Sequence, residues 1–292
     1  MFKECLRNAL SVNSVNKEVI LVDNGSTDGS QKFVQEMFPT GIKHVTLRQN
    51  VGYSSGMNAG AEYSSTNSKY LFFINNDVSF SEEAVKGLLR LLEANPSIAV
   101  AGCGIWHRDR IYVGSFFDIR LTHHTPKVQK HPYYVTVVEN FIAVRADVFR
   151  RLGGFEPNIF QVYDEADLCL RAWFSGNKVA CDPRILVYHR HRLPNKRNIT
   201  RVFRFMRNKY LIMLKFYDLR YLAVYFPLKI LTDTWWSISN PRWRRRRSII
   251  MVFKSLMDII FGLKVYYQRR LIVLSLKKVS LSELIKKGIL NL

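Results

Sequence analysis

The chain predicts an α/β fold, a mostly parallel sheet flanked by helices, followed by a basic helical extension. Two observations carry this. Through the first 190 residues, short apolar runs that read as buried strands alternate with longer segments of helical period. The charge is also unevenly placed: residues 1–189 hold 20 Lys and Arg against 19 Asp and Glu, whereas residues 190–292 hold 24 against 4. A near-neutral domain, residues 1–190, is thus expected to precede a basic amphipathic tail, residues 191–292.

Taken in order, residues 3–11 read as a helix. A polar loop leads from it to the strand Glu18-Val19-Ile20-Leu21-Val22-Asp23. The Gly and Asn residues at 24–30 favour a turn, with Ser26, Thr27 or Asp28 as cap of a helix running to about Met37. A strand at 42–47, a Gly-rich segment at 50–60 entering a helix, and a strand at 70–74 follow. Helix 82–94 stops near Pro96, and a strand occupies 98–102. From 105 to 140 short strands and loops are expected, with 133–138 the clearest strand. A short helix at 147–152 is ended by Gly153-Gly154. A helix at 164–174 has acidic residues in its first turn, which suits its dipole. Gly176 breaks it, and a last strand at 179–187 ends at Tyr188-His189.

The four cysteines, Cys5, Cys103, Cys169 and Cys181, show no C-x-x-C pair and no zinc spacing, as expected of buried thiols in a reducing compartment. No basic-then-apolar signal segment opens the chain, and no uncharged apolar run of about 18 residues predicts a membrane span. In the tail, the apolar residues of 248–263 cover most of a helix, with Lys254 and Asp258 as a narrow polar stripe. This fits a helix lying in a membrane interface, or one packed in a hydrophobic bundle. Trp235-Trp236, and Trp243 within the arginine run 242–247, fit headgroup-level anchoring on an anionic leaflet.

The chemistry is concentrated at strand ends. Phe72-Phe73-Ile74-Asn75-Asn76-Asp77 is an apolar run that stops abruptly in metal-competent side chains. A carboxylate at the carboxyl end of a strand stands where open α/β sheets bind ligands, and it can hold a divalent cation and, through it, a diphosphate. The plainer alternative is an Asn/Asp turn. Asp23, at another strand end, is placed to accept from a base or a ribose.

Five segments in order decide between these readings. Residues 22–30, VDNGSTDGS, resemble the signature loop of family 2 glycosyltransferases with the GT-A fold. Asn50-Val51-Gly52-Tyr53-Ser54-Ser55-Gly56-Met57-Asn58-Ala59-Gly60 is similar to that family's N-x-G-[FY]-x-x-[GA]-x-N-x-G segment. Phe73-Ile74-Asn75-Asn76-Asp77 resembles its DxD-type metal motif. Gly153-Gly154-Phe155-Glu156, followed by Asp164-Glu165-Ala166-Asp167-Leu168-Cys169-Leu170-Arg171, resembles its G-G-F-[DE] and [DE]-[DE]-x-D-L-x-x-R pair. His189 stands where the family has a histidine after its last core strand. The pattern is nearest the rhamnosyltransferase-like members, and it fades after about Tyr210.

The resemblance implies sugar transfer from a nucleotide-sugar donor to a lipid-linked or polysaccharide acceptor, with inversion, at the cytoplasmic face of a membrane. It implies Mg²⁺ or Mn²⁺ held by Asp77, with His189 as second ligand or phosphate contact. Asn75 and Asn76 are then expected to hydrogen-bond ribose or water, with Asp23, Asn50, Gly52 and Asn58 lining the donor. Glu165 falls at the general-base position, with Asp164 as the alternative, and Asp167 is expected to hold local structure, or to orient the base through Arg171 at i,i+4. Members of the family open with an apolar strand, and this chain opens at the helix that follows, so a missing central strand is expected. Two rivals stand beside this reading. One is a non-catalytic, membrane-bound relative that lost its donor pocket with that strand. The other is a nucleic-acid-binding protein, for which no known reading motif is present.

Overall fold

A computed structural model describes residues 2–107, 110–190, 199–239 and 245–291. In chain order the elements begin α1 (Phe2–Ser11), β1 (Ile20–Asp23), α2 (Ser30–Met37), β2 (Lys43–Thr46), α3 (Tyr53–Glu62), β3 (Tyr70–Ile74) and β4 (Val78–Ser79). Then come α4 (Glu82–Ala94), β5 (Ile98–His107), β6 (Arg110–Val113), β7 (Phe116–Asp118), β8 (His123–His124), β9 (Tyr133–Tyr134) and β10 (Phe141–Arg145). The chain continues through α5 (Ala146–Arg151), α6 (Asp164–Phe174), β11 (Lys178–His189), α7 (Ile199–Phe216), α8 (Leu219–Ser239), α9 (Arg245–Leu276), α10 (Leu281–Lys286) and β12 (Leu290–Asn291). They form two compact units. The first comprises Met1–Ser115, Thr125–Ala172 and Asn177–His191; the second comprises Phe116–His124, Trp173–Gly176 and Arg192–Leu292.

In the first unit a seven-stranded sheet runs β3-β10-β5-β11-β4, with β6 on β5 and β9 on β11. The α/β class is as expected, but the pairing is mixed rather than mostly parallel. β5 and β11 are parallel, whereas β10 lies antiparallel between β3 and β5. The physical reason is the connection. β10 is entered from an irregular stretch, not from a crossover helix, so nothing imposes a parallel return. The strand expected at 133–138 pairs as a strand only at Tyr133–Tyr134. Val137 beyond it makes a single bridge to Ser115, and the regular strand starts after Asn140, whose φ is 67°.

Helix α4 illustrates how the core is built. Ser81 caps it by accepting from the Ala84 N–H, and Glu82 and Glu83 occupy the first turn. Its inward face buries Ala84, Val85, Leu88 and Leu92, in one core with Ile98, Phe141 and Val187. At α2 the expected side-chain cap is not formed. Gly29, at φ 84°, takes the N-cap, while the Asp28 carboxylate accepts from the Ser30 N–H at 3.1 Å. Strands β1 and β2 pair in parallel as a separate two-stranded sheet. Among the described residues no strand joins β1 to β3. All four residues of β1 are only partly buried, unlike a strand covered on both faces and both edges.

The second unit is mostly helical, as the tail pattern predicts, but it also holds a three-stranded sheet, β12-β7-β8. The Tyr217 hydroxyl donates to the Ile119 carbonyl at 2.6 Å, and Lys277 pairs with Asp218 at 2.7 Å. Asp258, expected on a narrow polar stripe with Lys254, accepts from Arg207 Nε at 2.9 Å and from the Tyr266 hydroxyl at 2.7 Å. No described helix is long and apolar enough to cross a membrane. Trp243 and the side chains of the arginine run 242–247 lie outside the described residues.

Candidate active site

The first unit gathers polar side chains at the carboxyl ends of its strands, as expected of an open α/β sheet. Beyond β3 the chain turns, with Val78 N–H donating to the Asn75 carbonyl at 3.1 Å. That turn delivers Asp77 to the end of β11. His189, paired with Val78 across the strands, places its Nε2 3.0 Å from Asp77 Oδ1. The imidazole is nearly buried while the carboxylate keeps 25% of its surface, and the His107 ring nitrogen lies 3.1 Å from the His189 carbonyl. Asn75 is tied twice to Asn140, N–H to carbonyl at 3.0 Å and amide to amide at 2.9 Å. Its own Oδ1 is buried without a partner. Asn76 is exposed.

A second group assembles at the N-terminus of α6. Val162 and Tyr163 precede it with φ of 74° and 69°, an unfavourable conformation for a β-branched or bulky residue. Asp164 is buried, whereas Glu165 is partly exposed. Glu165 accepts from the Tyr53 hydroxyl and from Asp164, and its Oε1 lies 3.4 Å from the Asn140 amide nitrogen. Burial, reinforced by repulsion from Glu165, pushes Asp164 well above the usual carboxylate range. Glu139 is pushed up to about 7, chiefly by burial and then by the Glu165 charge. Burial also raises Glu165, but the hydrogen bonds it accepts favour its anion. Of the acidic pair that opens α6, Glu165 is the one that keeps part of its surface exposed. Asp167 instead pairs with Arg171 at 2.7 Å, and Arg171 donates to the Leu152 carbonyl, so this pair holds the helix in place.

A third group lies after β1. Asp23 Oδ1 accepts from the Ser26 N–H at 2.9 Å, while Oδ2 is buried without a partner. Asn24 joins the two loops, accepting from the Val51 N–H at 2.9 Å and donating to the Gly52 carbonyl at 3.0 Å. Asn50 accepts from the Gly52 N–H at 2.9 Å. Gly52, at φ 89°, lets the backbone approach Phe160, whose carbonyl would stand 2.5 Å from an added Cβ. Asn58 lies apart from these contacts. It exchanges two hydrogen bonds with the Phe155 backbone, at 2.9 and 2.8 Å, and so locks α3 to the loop after Gly154.

Sequence reasoning missed Glu139, Asn140, Tyr53 and Asn24 as members of these groups. Glu139-Asn140 did carry the available signal, polar residues that end an apolar run. Among the described residues no cluster of three or more His, Cys, Asp or Glu could hold a metal ion. Asp77 Oδ1 and His189 Nε2 do converge as hard oxygen and nitrogen donors, which fits a cation whose remaining ligands come from a bound phosphate. All four cysteines are free, with Cys103, Cys169 and Cys181 buried.

Comparison with known proteins follows the same lines. The chain is 33% identical over 76 residues, a quarter of its length, to the minor teichoic acid biosynthesis protein GgaA of Bacillus subtilis (strain 168), and spans 17% of that protein. In structure it resembles GalNAc-T7, solved with UDP, GalNAc and Mn²⁺. The TM-score is 0.61 at 12% identity, covering 91% of this chain and 56% of the other. It also resembles the mannosyltransferase PcManGT of Pyrobaculum calidifontis, solved with GDP-Man and Mn²⁺. There the TM-score is 0.56 at 13% identity, covering 94% and 81% of the two chains. At those identities the likeness establishes the fold. The sequence profile of glycosyl transferase family 2 matches residues 1–153, just over half of the chain, and takes in the β3 turn with Asp77. With the profile, the α/β fold and the strand-end polar groups in agreement, the chain belongs to glycosyl transferase family 2.

Proposed function

We propose that the protein transfers a hexosyl or rhamnosyl group from a nucleotide-sugar donor to a hydroxyl of a lipid-linked or glycan acceptor, with inversion, from residues 1–190. One observation carries this reading. The Asp77–His189 pair and a separate, partly exposed carboxylate, Glu165, stand at the ligand edge of one unit. Asp77 and His189 would hold Mg²⁺ or Mn²⁺, and the cation would supply neutralising charge for the departing nucleoside diphosphate. Asp23, Asn50, Gly52, Asn75 and Asn76 line the donor, and Asn58 supports it through the Phe155 loop. Glu165 takes the acceptor proton as the acceptor oxygen forms its bond to the anomeric carbon. The bond to the diphosphate breaks on the opposite face, and the leaving group keeps the electron pair. Asp164, hydrogen-bonded to Glu165, orients it. The donor and Mn²⁺ named for GalNAc-T7 and PcManGT support the donor half of this reading, and the teichoic acid role named for GgaA supports an envelope-polymer acceptor.

A second reading is favoured by the break between β1 and β3 and by the unpartnered Asp23 Oδ2 and Asn75 Oδ1 beside it. In that reading the chain is a non-catalytic relative with an incomplete donor pocket. Calorimetry with a panel of nucleoside diphosphates and Mn²⁺, on the chain and on Asp77→Ala, separates the two. Metal-dependent binding that Asp77→Ala abolishes is the expected result; no binding to any of the panel overturns the transferase reading.

A further inference from the structure

Helix α8 is inverted relative to a helix on a water-exposed surface. Its buried residues are Lys229, Asp233 and Ser237, at i, i+4 and i+8, with Lys229 donating to Asp233 at 2.5 Å. The opposite face carries Val224, Leu231 and Trp235, which are 59%, 66% and 71% exposed. Helix α9 repeats the pattern in part. Phe253, Ile260, Tyr267 and Leu271, at i, i+7, i+14 and i+18, form one stripe, each 47% exposed or more. Soluble proteins rarely show apolar faces of this length. Polar groups inside and apolar groups outside are what an apolar medium selects.

We propose that the outer faces of α8 and α9 seat in the headgroup and upper acyl region of an anionic phospholipid leaflet. Three features select this occupant. No described helix can cross a bilayer, so the helices lie in the interface. Residues 190–292 carry a net charge of +20, and Arg220, Lys254 and Lys264 are exposed cations on these same two helices. A second copy of the chain would bring the same charge to the contact, whereas an anionic leaflet neutralises it. The proposal stands apart from the transferase reading, and each can fail alone.

The test uses the full chain with vesicles of phosphatidylglycerol mixed with phosphatidylcholine, or of phosphatidylcholine alone. The expected result is co-sedimentation with the anionic vesicles and quenching of tryptophan emission by brominated acyl chains. The neutral double variant Leu231→Ser/Trp235→Ser then loses at least about tenfold in partition coefficient, with unchanged far-ultraviolet dichroism. A second measurement removes dependence on that variant's folding. An environment-sensitive fluorophore on Leu231→Cys is expected to shift to the blue on anionic vesicles. Undiminished binding of the double variant, no shift at position 231, or a dimer in solution that Leu231→Ser/Trp235→Ser dissociates would each overturn the proposal.

Discussion

Helix α4 hides Ala84, Val85, Leu88 and Leu92 and turns Glu83 and Arg90 outward. Helix α8 hides Lys229, Asp233 and Ser237 and turns Val224, Leu231 and Trp235 outward. Both helices are two-faced, yet they are sorted in opposite senses, and each lies in a different unit. The first unit is organised against water, with an apolar interior and its polar chemistry at the strand ends. On α8 the second unit turns Lys229 and Asp233 inward and apolar side chains outward, the arrangement proposed to meet lipid. Amphipathicity alone therefore does not say which side of a helix is the inside.

The largest test of this contrast is catalytic. Asp77→Ala is expected to lower nucleoside diphosphate release in the presence of acceptor by about a thousandfold. Lys229→Met/Asp233→Leu in the second unit is expected to leave turnover on a soluble acceptor within about twofold. Turnover that survives in Asp77→Ala would remove the first unit's site from the comparison.

Stability gives the next contrast. Leu88 is fully buried, so Leu88→Ala is expected to cost about 3 kcal/mol in denaturant unfolding. Leu231→Ala, at an exposed position, is expected to change stability in water by less than about 0.5 kcal/mol. Equal losses at the two sites would mean that α8 packs its apolar face against protein. Inside α8, Asp233→Ala leaves the Lys229 ammonium buried without its partner and is expected to cost about 3 kcal/mol, with the double replacement Lys229→Met/Asp233→Leu recovering most of it.

The smallest effects lie in pH. With Glu165 as the proposed base, which works only when ionised, burial raises its pKa and the acid limb of the rate profile is expected above the ordinary glutamate range. Glu139, pushed up to about 7 in part by the Glu165 charge, is still neutral as Glu165 ionises, so Glu139→Gln is expected to leave that limb within about 0.3 of a pH unit. Glu139 itself titrates near 7 in the folded chain and near 4.3 unfolded, so the folded state holds the extra proton between those values. Its contribution is present below that window and lost as pH rises through about 7. The thermal midpoint of the parent should thus fall by a few degrees over this range, and Glu139→Gln should flatten that fall.

Much of the first unit was legible in the sequence, because its signals are local. Alternating apolar runs marked β1, β3 and α4 close to their observed limits, and Gly153-Gly154 marked the end of α5. The polar endings of β1 and β3 marked Asp23 and Asp77 as candidates, because a strand that stops in a carboxylate is readable without knowing its neighbours, whereas His189 was singled out by the family resemblance. β10 was not legible. Its residues, 141–145, follow the apolar stretch 133–138, and only the turn at Asn140, at positive φ, decides where pairing begins. Glu139 escaped for the same reason, since its significance depends on Glu165, 26 positions away.

What the sequence by itself determined is the division of charge near residue 190, the α/β order of the first unit and the family motifs at its strand ends. Each is a property of neighbouring residues, or of a count. Tertiary structure alone decided the antiparallel placement of β10, the pairing of Asp77 with His189, the upward shift of Asp164 beside Glu165, and the inward turn of Lys229 and Asp233. Each of these depends on contacts between distant segments. Periodicity tells which residues share a face, but packing determines what that face meets, and the dielectric of that surrounding sets both the charge state and the cost of burial.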